Sequence, residues 1–386
     1  MTSHVTPREG DARPAGPLAV LQTRENALIG TATDIDTERM SDPIYPPKPR
    51  PGDRVAVVSP SSGSPWMFPA PYELGLRRLR DDFGLVPVEY PATRRMGAAP
   101  AERAADLNAA FADPDIRAII TSVGSDDQIT VLPHLDVELI RANPKPFFGY
   151  SDNTNLLTYL GNLGIVAYHG GSIMCQFGRS GAMHPLTAVS LQAALFTSGE
   201  YELRESTAYG DVDRDWADPA TFDSTPPMQG CTGWAWHNAD QVVEGVTWGG
   251  NLVVLSWLLM ADREIRPVAA YDGMILLIET SQELPAATEV YRILRNMGER
   301  GLLCRFAAVL AGRAKAWSFE HPNAPDHKAA FAKEQRDAVL RAMATYNPEA
   351  LVVFDVDFGH TDPQVVIPTG GRIRVDGEAR RITVRY

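Results

Sequence analysis

Arg54-Val55-Ala56-Val57-Val58-Ser59-Pro60-Ser61-Ser62-Gly63 is a short β-branched run that passes directly into small polar residues. Unbroken apolar character belongs to a strand buried on both faces, and small residues after it suit the loop leaving the carboxyl edge of a parallel sheet. Outward from this run the rhythm repeats. A helix is predicted over residues 70 to 83, a strand from Val86 to Tyr90, a helix from Ala101 to Phe111, and a strand from Ile116 to Val123 ending in Gly124-Ser125. After Asp126 a short helical stretch leads to Pro144-Lys-Pro-Phe-Phe-Gly-Tyr150, a further strand. Strand alternating with helix predicts an α/β fold whose parallel sheet is covered on both faces.

The pattern fails from 200 to 232. Tyr201 to Gln229 is rich in Asp, Pro, Thr and Gly, with isolated aromatics Tyr209, Trp216 and Phe222. So long an irregular segment is either a functional loop or an interdomain linker. Beyond it, strands are predicted at Gln241 to Thr247, Met274 to Ile278, Ala307 to Leu310, Leu351 to Phe358 and Arg372 to Arg385, interleaved with helices at 250 to 261, 285 to 298 and 326 to 345. This half is mixed α/β with a β-rich end. Residues 1 to 45 read as a disordered extension: they lack a sustained period and run into a Pro-rich stretch after Met40, itself a candidate start. The expected organisation is an α/β domain over 46–199, a loop or linker over 200–232 and a second domain over 233–386.

The 386 residues carry 36 Lys and Arg against 48 Asp and Glu, a formal charge of −12. Repulsion of polyphosphate argues against a nucleic-acid polymer or an anionic membrane as partner, and leaves peptides and small molecules. Cys175, Cys231 and Cys304 fit neither a disulfide framework nor a zinc knuckle, so a reducing compartment is expected. The longest apolar stretch, Leu252 to Ala261, falls short of the roughly 20 residues that cross a bilayer. Pro17 to Leu21 is too short for a secretory apolar region, and a cytoplasmic location is expected. No GxGxxG, P-loop, HExxH or EF-hand loop occurs; chemistry without cofactor or metal is the simplest expectation.

The strongest local signal is Phe147-Phe-Gly149-Tyr150-Ser151-Asp152-Asn153-Thr-Asn-Leu156-Leu157. An apolar strand turns through Gly149 into a segment whose Leu156, Leu157, Leu160 and Leu163 share a helical face. A serine at that corner sits at the positive end of a helix as a nucleophile does, and it is also what a plain N-cap requires. Asn153 replaces the glycine of the α/β-hydrolase elbow, so that family is not indicated. A nucleophilic serine needs a base. His360, in Phe358-Gly-His360-Thr-Asp362-Pro, follows a core strand, whereas His169 comes soon after the elbow helix and His321 and His327 lie in a polar stretch. The orienting acid is expected at the edge of an apolar element, and Glu279 ends Met274-Ile-Leu-Leu-Ile278. Asp355 and Asp357 are closer in sequence, but on a straight strand they point away from His360. Gly124 and Ser125 are candidates for the substrate side of the serine, with the backbone amides of Ser125 and Asp152 as oxyanion donors. Trp248-Gly-Gly-Asn251 is either a further contribution to the site or a tight turn with an Asn cap.

In order and spacing, Gly149-Tyr-Ser151-Asp152, Gly249-Gly-Asn251-Leu252, Ile278-Glu279 and Phe358-Gly-His360-Thr361 with Pro368-Thr-Gly370 resemble the S66 serine peptidases, the LD-carboxypeptidase family. The resemblance covers Asp53 to the C-terminus. It implies a Ser151-Glu279-His360 triad, a Rossmann-like N-terminal domain, a C-terminal domain with β-barrel character, and an active site between them in a homodimer. Murein LD-carboxypeptidases show Arg-Gly-Gly-Tyr-Gly after the third strand, where this chain has Val123-Gly124-Ser125-Asp126-Asp127, with Ser125 at a position where glycine is common. The long loop with Asp215-Trp216-Ala-Asp218-Pro is more similar to the microcin C self-immunity branch, which cleaves an aspartyl group from a modified nucleotide. There a loop tryptophan stacks on adenine, and Trp216 is the corresponding candidate. The resemblance thus implies a peptidyl- or aminoacyl-nucleotide substrate, with Gly124, Trp216 and Asn251 at its binding site. The alternatives are a murein LD-carboxypeptidase and a non-catalytic ligand-binding protein.

Overall fold

A computed structural model describes residues 42–386. The extension predicted over 1 to 45 otherwise lies outside the described residues, but its last part is tied down. Ile44 forms a bridge to Ile165, and Tyr45 Oη accepts the Arg372 N–H at 2.7 Å.

The α/β class holds. The first sheet has six strands in the order Ile367–Thr369, Ala167–His169, Phe147–Gly149, Ile116–Thr121, Arg54–Val58, Val86–Glu89. The five N-terminal strands are parallel, and Ile367–Thr369 joins Ala167–His169 antiparallel from the far end of the chain. Val55 to Val58 are fully buried, as a run without alternation requires. Helices Pro69–Asp81 and Pro100–Ala112 provide crossovers, each starting with proline at its first turn, where a missing N–H costs nothing.

The second sheet has eight strands, ordered Glu200–Glu202, Arg381–Arg385, Arg372–Asp376, Val242–Asn251, Ile275–Glu279, Ala308–Gly312, Leu351–Val356, Ala235–His237. In place of the barrel character implied by the resemblance, the strands form this linear, mixed sheet, whose two edge strands do not pair with each other. Val242–Asn251 is longer than its apolar pattern predicts because it serves two partners. Its first half pairs antiparallel with Arg372–Asp376 and its second half parallel with Ile275–Glu279. Tyr201 lies within the predicted irregular segment but is in an edge strand, paired with Val384.

The halves share their interior. Leu156, Leu157 and Leu160 of helix Thr154–Asn162 belong to the same apolar cluster as Leu255 and Leu258 of helix Leu252–Ala261 and Ile278. Truncating such a leucine to alanine costs about 2–5 kcal/mol. Thr154 Oγ1 accepts the Asn251 N–H at 2.9 Å, which sets the elbow helix against the carboxyl ends of the second sheet's parallel strands. Carboxyl ends of parallel strands are where α/β folds carry their sites.

Candidate active site

Ser151 follows the strand Phe147–Gly149 with φ +64°, a left-handed conformation that a serine holds only under constraint from its surroundings. A 3-10 turn over Ser151–Asn153 runs into helix Thr154–Asn162, so the hydroxyl stands at a sharp strand-to-helix corner. The backbone after Ile116–Thr121 approaches it closely. A Cβ at Gly124 would lie 2.8 Å from Ser151 Cβ, 3.0 Å from its Oγ and 3.3 Å from the Asp152 nitrogen. Only glycine accepts that approach without displacement.

Buried polar groups hold the two segments together. Asp152 Oδ2 accepts the Gln128 N–H at 3.0 Å, and its Oδ1 accepts Asn155 Nδ2 at 2.9 Å. Gln128 Nε2 donates to Ser61 Oγ at 3.0 Å and Asn153 Oδ1 at 2.8 Å, while its Oε1 accepts the Leu156 N–H at 3.2 Å. Burial pushes the Asp152 carboxyl up to about 6, against hydrogen bonds from Ser61 and Gln128 that favour the charged form.

Glu279 ends the strand Ile275–Glu279, is 2% exposed, and places Oε2 2.6 Å from His360 Nδ1. Gly359, at φ +97°, lets the loop after Leu351–Val356 pass over that carboxylate; a Cβ there would come 2.7 Å from Oε2. Burial pushes the Glu279 carboxyl up, but the His360 charge and hydrogen bond, with a further hydrogen bond from the Asn251 amide, outweigh it and hold the carboxyl below its ordinary value. His169 is fully buried at the end of Ala167–His169, with Nε2 3.9 Å from Glu279 Oε1. Burial lowers its imidazole to about 4, opposed in part by Glu279, so the ring is neutral near pH 7. The Tyr150 ring packs 5.0 Å from His360 and 5.9 Å from His169.

Gly124, Ser125, Tyr150, Ser151, Trp216 and His360 line one cavity of ≈ 390 Å³. Asn251 is not on its lining. Asn251 Oδ1 accepts the N–H groups of Val253 and Val254 as an N-cap, and its residue lies in register with Glu279. The Trp216 segment is anchored on both sides of His360. Asp357, fully buried, accepts Ser206 N–H at 2.9 Å, Ser206 Oγ at 2.5 Å and Trp234 Nε1 at 2.8 Å. Gly210 and Asp362 exchange backbone hydrogen bonds of 2.6 and 2.8 Å. Among the described residues, no group of three or more His, Cys, Asp and Glu is placed to hold a metal ion, and no helix is long and apolar enough to cross a membrane.

The family model for the LD-carboxypeptidase N-terminal domain matches residues 55–170, and that for the LD-carboxypeptidase C-terminal domain matches residues 244–375. The chain belongs to the S66 peptidases, the LD-carboxypeptidase family. This S66 peptidase is 26% identical over 286 residues to the microcin C7 self-immunity protein MccF of Escherichia coli, across 73% of the chain and 78% of that protein. It is 27% identical over 329 residues to the probable murein peptide carboxypeptidase of Bacillus subtilis (strain 168), across 83% and 88% respectively. Its fold matches MccF in complex with aspartyl sulfamoyl adenosine with a TM-score of 0.77 at 22% identity, over 89% of this chain and 99% of that one. An MccF-like protein from Streptococcus pneumoniae in complex with AMP matches with a TM-score of 0.75 at 23% identity, over 86% and 99%.

In this S66 peptidase, the sequence marks His169 only as a rival base and does not single out Gln128. Asp357, directed away from His360 by strand alternation, carries no local sign of its contacts with Ser206 and Trp234. The signal for Gln128 was available: a long amide directly after the acidic pair Asp126-Asp127, in a segment predicted to turn helical. His169 carried none, because its carboxylate neighbour belongs to the other sheet.

Proposed function

We propose that this S66 peptidase hydrolyses an amide bond through an acyl-serine, on a peptidyl- or aminoacyl-nucleotide. Ser151 Oγ attacks the carbonyl carbon while His360 takes the hydroxyl proton. The amides of Ser125 and Asp152 hold the oxyanion at the start of the elbow helix. Collapse of the tetrahedral adduct breaks the C–N bond, and His360 returns its proton to the leaving nitrogen. Water, deprotonated by His360, then releases the acyl group and restores Ser151. Glu279 fixes the imidazole through Nδ1 and stabilises its cation, as its low-lying carboxyl supports.

The observation that carries the reading is a single cavity lined by Ser151, His360 and Trp216. An indole face offers a nucleobase stacking worth about 1–3 kcal/mol without any basic surface, in keeping with the −12 charge. MccF, bound to aspartyl sulfamoyl adenosine in its own structure, supports the substrate class. The same reading has the protein acting as a cytoplasmic homodimer, checked by light scattering on the purified chain.

Separate incubation with aspartyl sulfamoyl adenosine and with an L,D-linked tetrapeptide tests it. Release of sulfamoyl adenosine is the expected result. Cleavage of the tetrapeptide alone makes the protein a murein carboxypeptidase, and absence of both, with no labelling by a serine-directed reagent, makes it a binding protein.

A further inference from the structure

Three cations line the cavity that holds Ser151 and His360: Arg179, Arg214 and Lys315. Two are already neutralised. Arg179 Nε donates to Asp362 Oδ2 at 2.7 Å, and Lys315 Nζ donates to Asp213 Oδ1 at 2.7 Å and to the Asp211 carbonyl at 2.8 Å. Arg214 differs. Its Nη2 donates to the Thr221 carbonyl and to Ser224 Oγ, both at 2.9 Å, and neither partner carries charge. Its Nε is buried without an acceptor, and among the described residues Arg214 forms no ion pair. The neighbouring carboxylates are engaged elsewhere, Asp213 by Lys315 and Asp215 by the Ala217 N–H at 2.8 Å.

An oriented guanidinium with an uncompensated charge, in a cavity of an otherwise acidic protein, is a receptor for an anion. Both neutral contacts come from Nη2; they hold that end of the guanidinium and leave the two N–H groups of Nη1 for an anion, which lowers the ordering needed to engage it. Arg214 stands two residues from Trp216, which lines the same cavity. A ligand that meets both has an anionic group next to a flat ring.

We propose that Arg214 is the anion-recognition residue of this site, holding the phosphoryl or sulfamoyl group that joins the acyl and nucleoside parts of the substrate. The proposal rests on the nucleotide reading above and adds to it the residue that distinguishes a nucleotide from a nucleoside.

Calorimetric titration of the full chain with AMP and with adenosine, at one ionic strength, tests it independently of turnover. The wild type is expected to bind AMP at least about ten-fold more tightly than adenosine, the usual return of a charge-assisted contact. Arg214→Gln binds both ligands as the wild type binds adenosine, and Arg214→Lys keeps part of the preference. Equal binding of both ligands by the wild type overturns the proposal, as does an AMP preference that survives Arg214→Gln. Loss of adenosine affinity in Arg214→Gln makes the residue structural and overturns it too. If the wild type binds neither ligand and leaves aspartyl sulfamoyl adenosine intact, the nucleotide reading falls with it. If that substrate is cleaved while AMP and adenosine bind alike, only the role of Arg214 falls.

Discussion

His169 and Glu279 meet across the two sheets, with Nε2 3.9 Å from the carboxylate oxygen that His360 does not use. His169 is fully buried and its imidazole lies at about 4, below the ordinary 6.5. Unfolding therefore takes up a proton between those values. The stability it contributes is whole above pH 6.5 and is lost as pH falls through about 4, up to about 3 kcal/mol. His169→Phe, in a pocket edged by Tyr150 and Phe358, should flatten the loss of stability between pH 7 and pH 4. Urea unfolding at a series of pH values measures it; an unchanged slope contradicts the assignment.

Gly124 is held against the serine with no room for a methyl group. Gly124→Ala should lower kcat by about 10- to 100-fold, because a displacement near 1 Å misaligns attack, while Tm changes little at this partly exposed loop. Full activity would mean that the segment moves freely away from Ser151.

Replacing Glu279 with glutamine removes the charge that favours the His360 cation while preserving shape. A drop in kcat of about 10³- to 10⁴-fold is expected, with KM nearly unchanged. Steady-state kinetics that show a change confined to KM would remove Glu279 from the chemistry.

The parts of this molecule legible in its sequence are those written contiguously. Val55 to Val58 declare a two-faced strand by lacking alternation, and Gly149-Tyr-Ser151 declares a strand-to-helix corner because strand, turn and helix adjoin. Relationships between distant segments were not legible. Ile367–Thr369 completes the first sheet from the far end of the chain, and no local pattern separates it from the second sheet to which its neighbour Arg372–Asp376 belongs. The 200–232 segment reads as irregular because its order comes from tertiary anchors, Asp357 on Ser206 and Asp362 on Gly210, rather than from periodicity. Asn251, expected at the substrate-binding site, caps helix Leu252–Ala261 instead of lining the cavity, and its place beside Glu279 follows from strand register alone.

Those anchors carry their own expectation. Asp357→Ala leaves the Ser206 N–H and Trp234 Nε1–H buried without an acceptor, at about 1–3 kcal/mol for each group. Loosening of the Trp216 segment should raise KM more than it lowers kcat, with faster amide exchange around residues 204–214. Exchange identical to wild type would show that the segment is held by other contacts.

The most direct measurement is turnover of aspartyl sulfamoyl adenosine by the wild type and by Ser151→Ala, followed as release of sulfamoyl adenosine. Hydrolysis by the wild type is expected, with a kcat at least about 10³-fold lower in the variant and nucleotide binding retained. Hydrolysis by Ser151→Ala at the wild-type rate would contradict it.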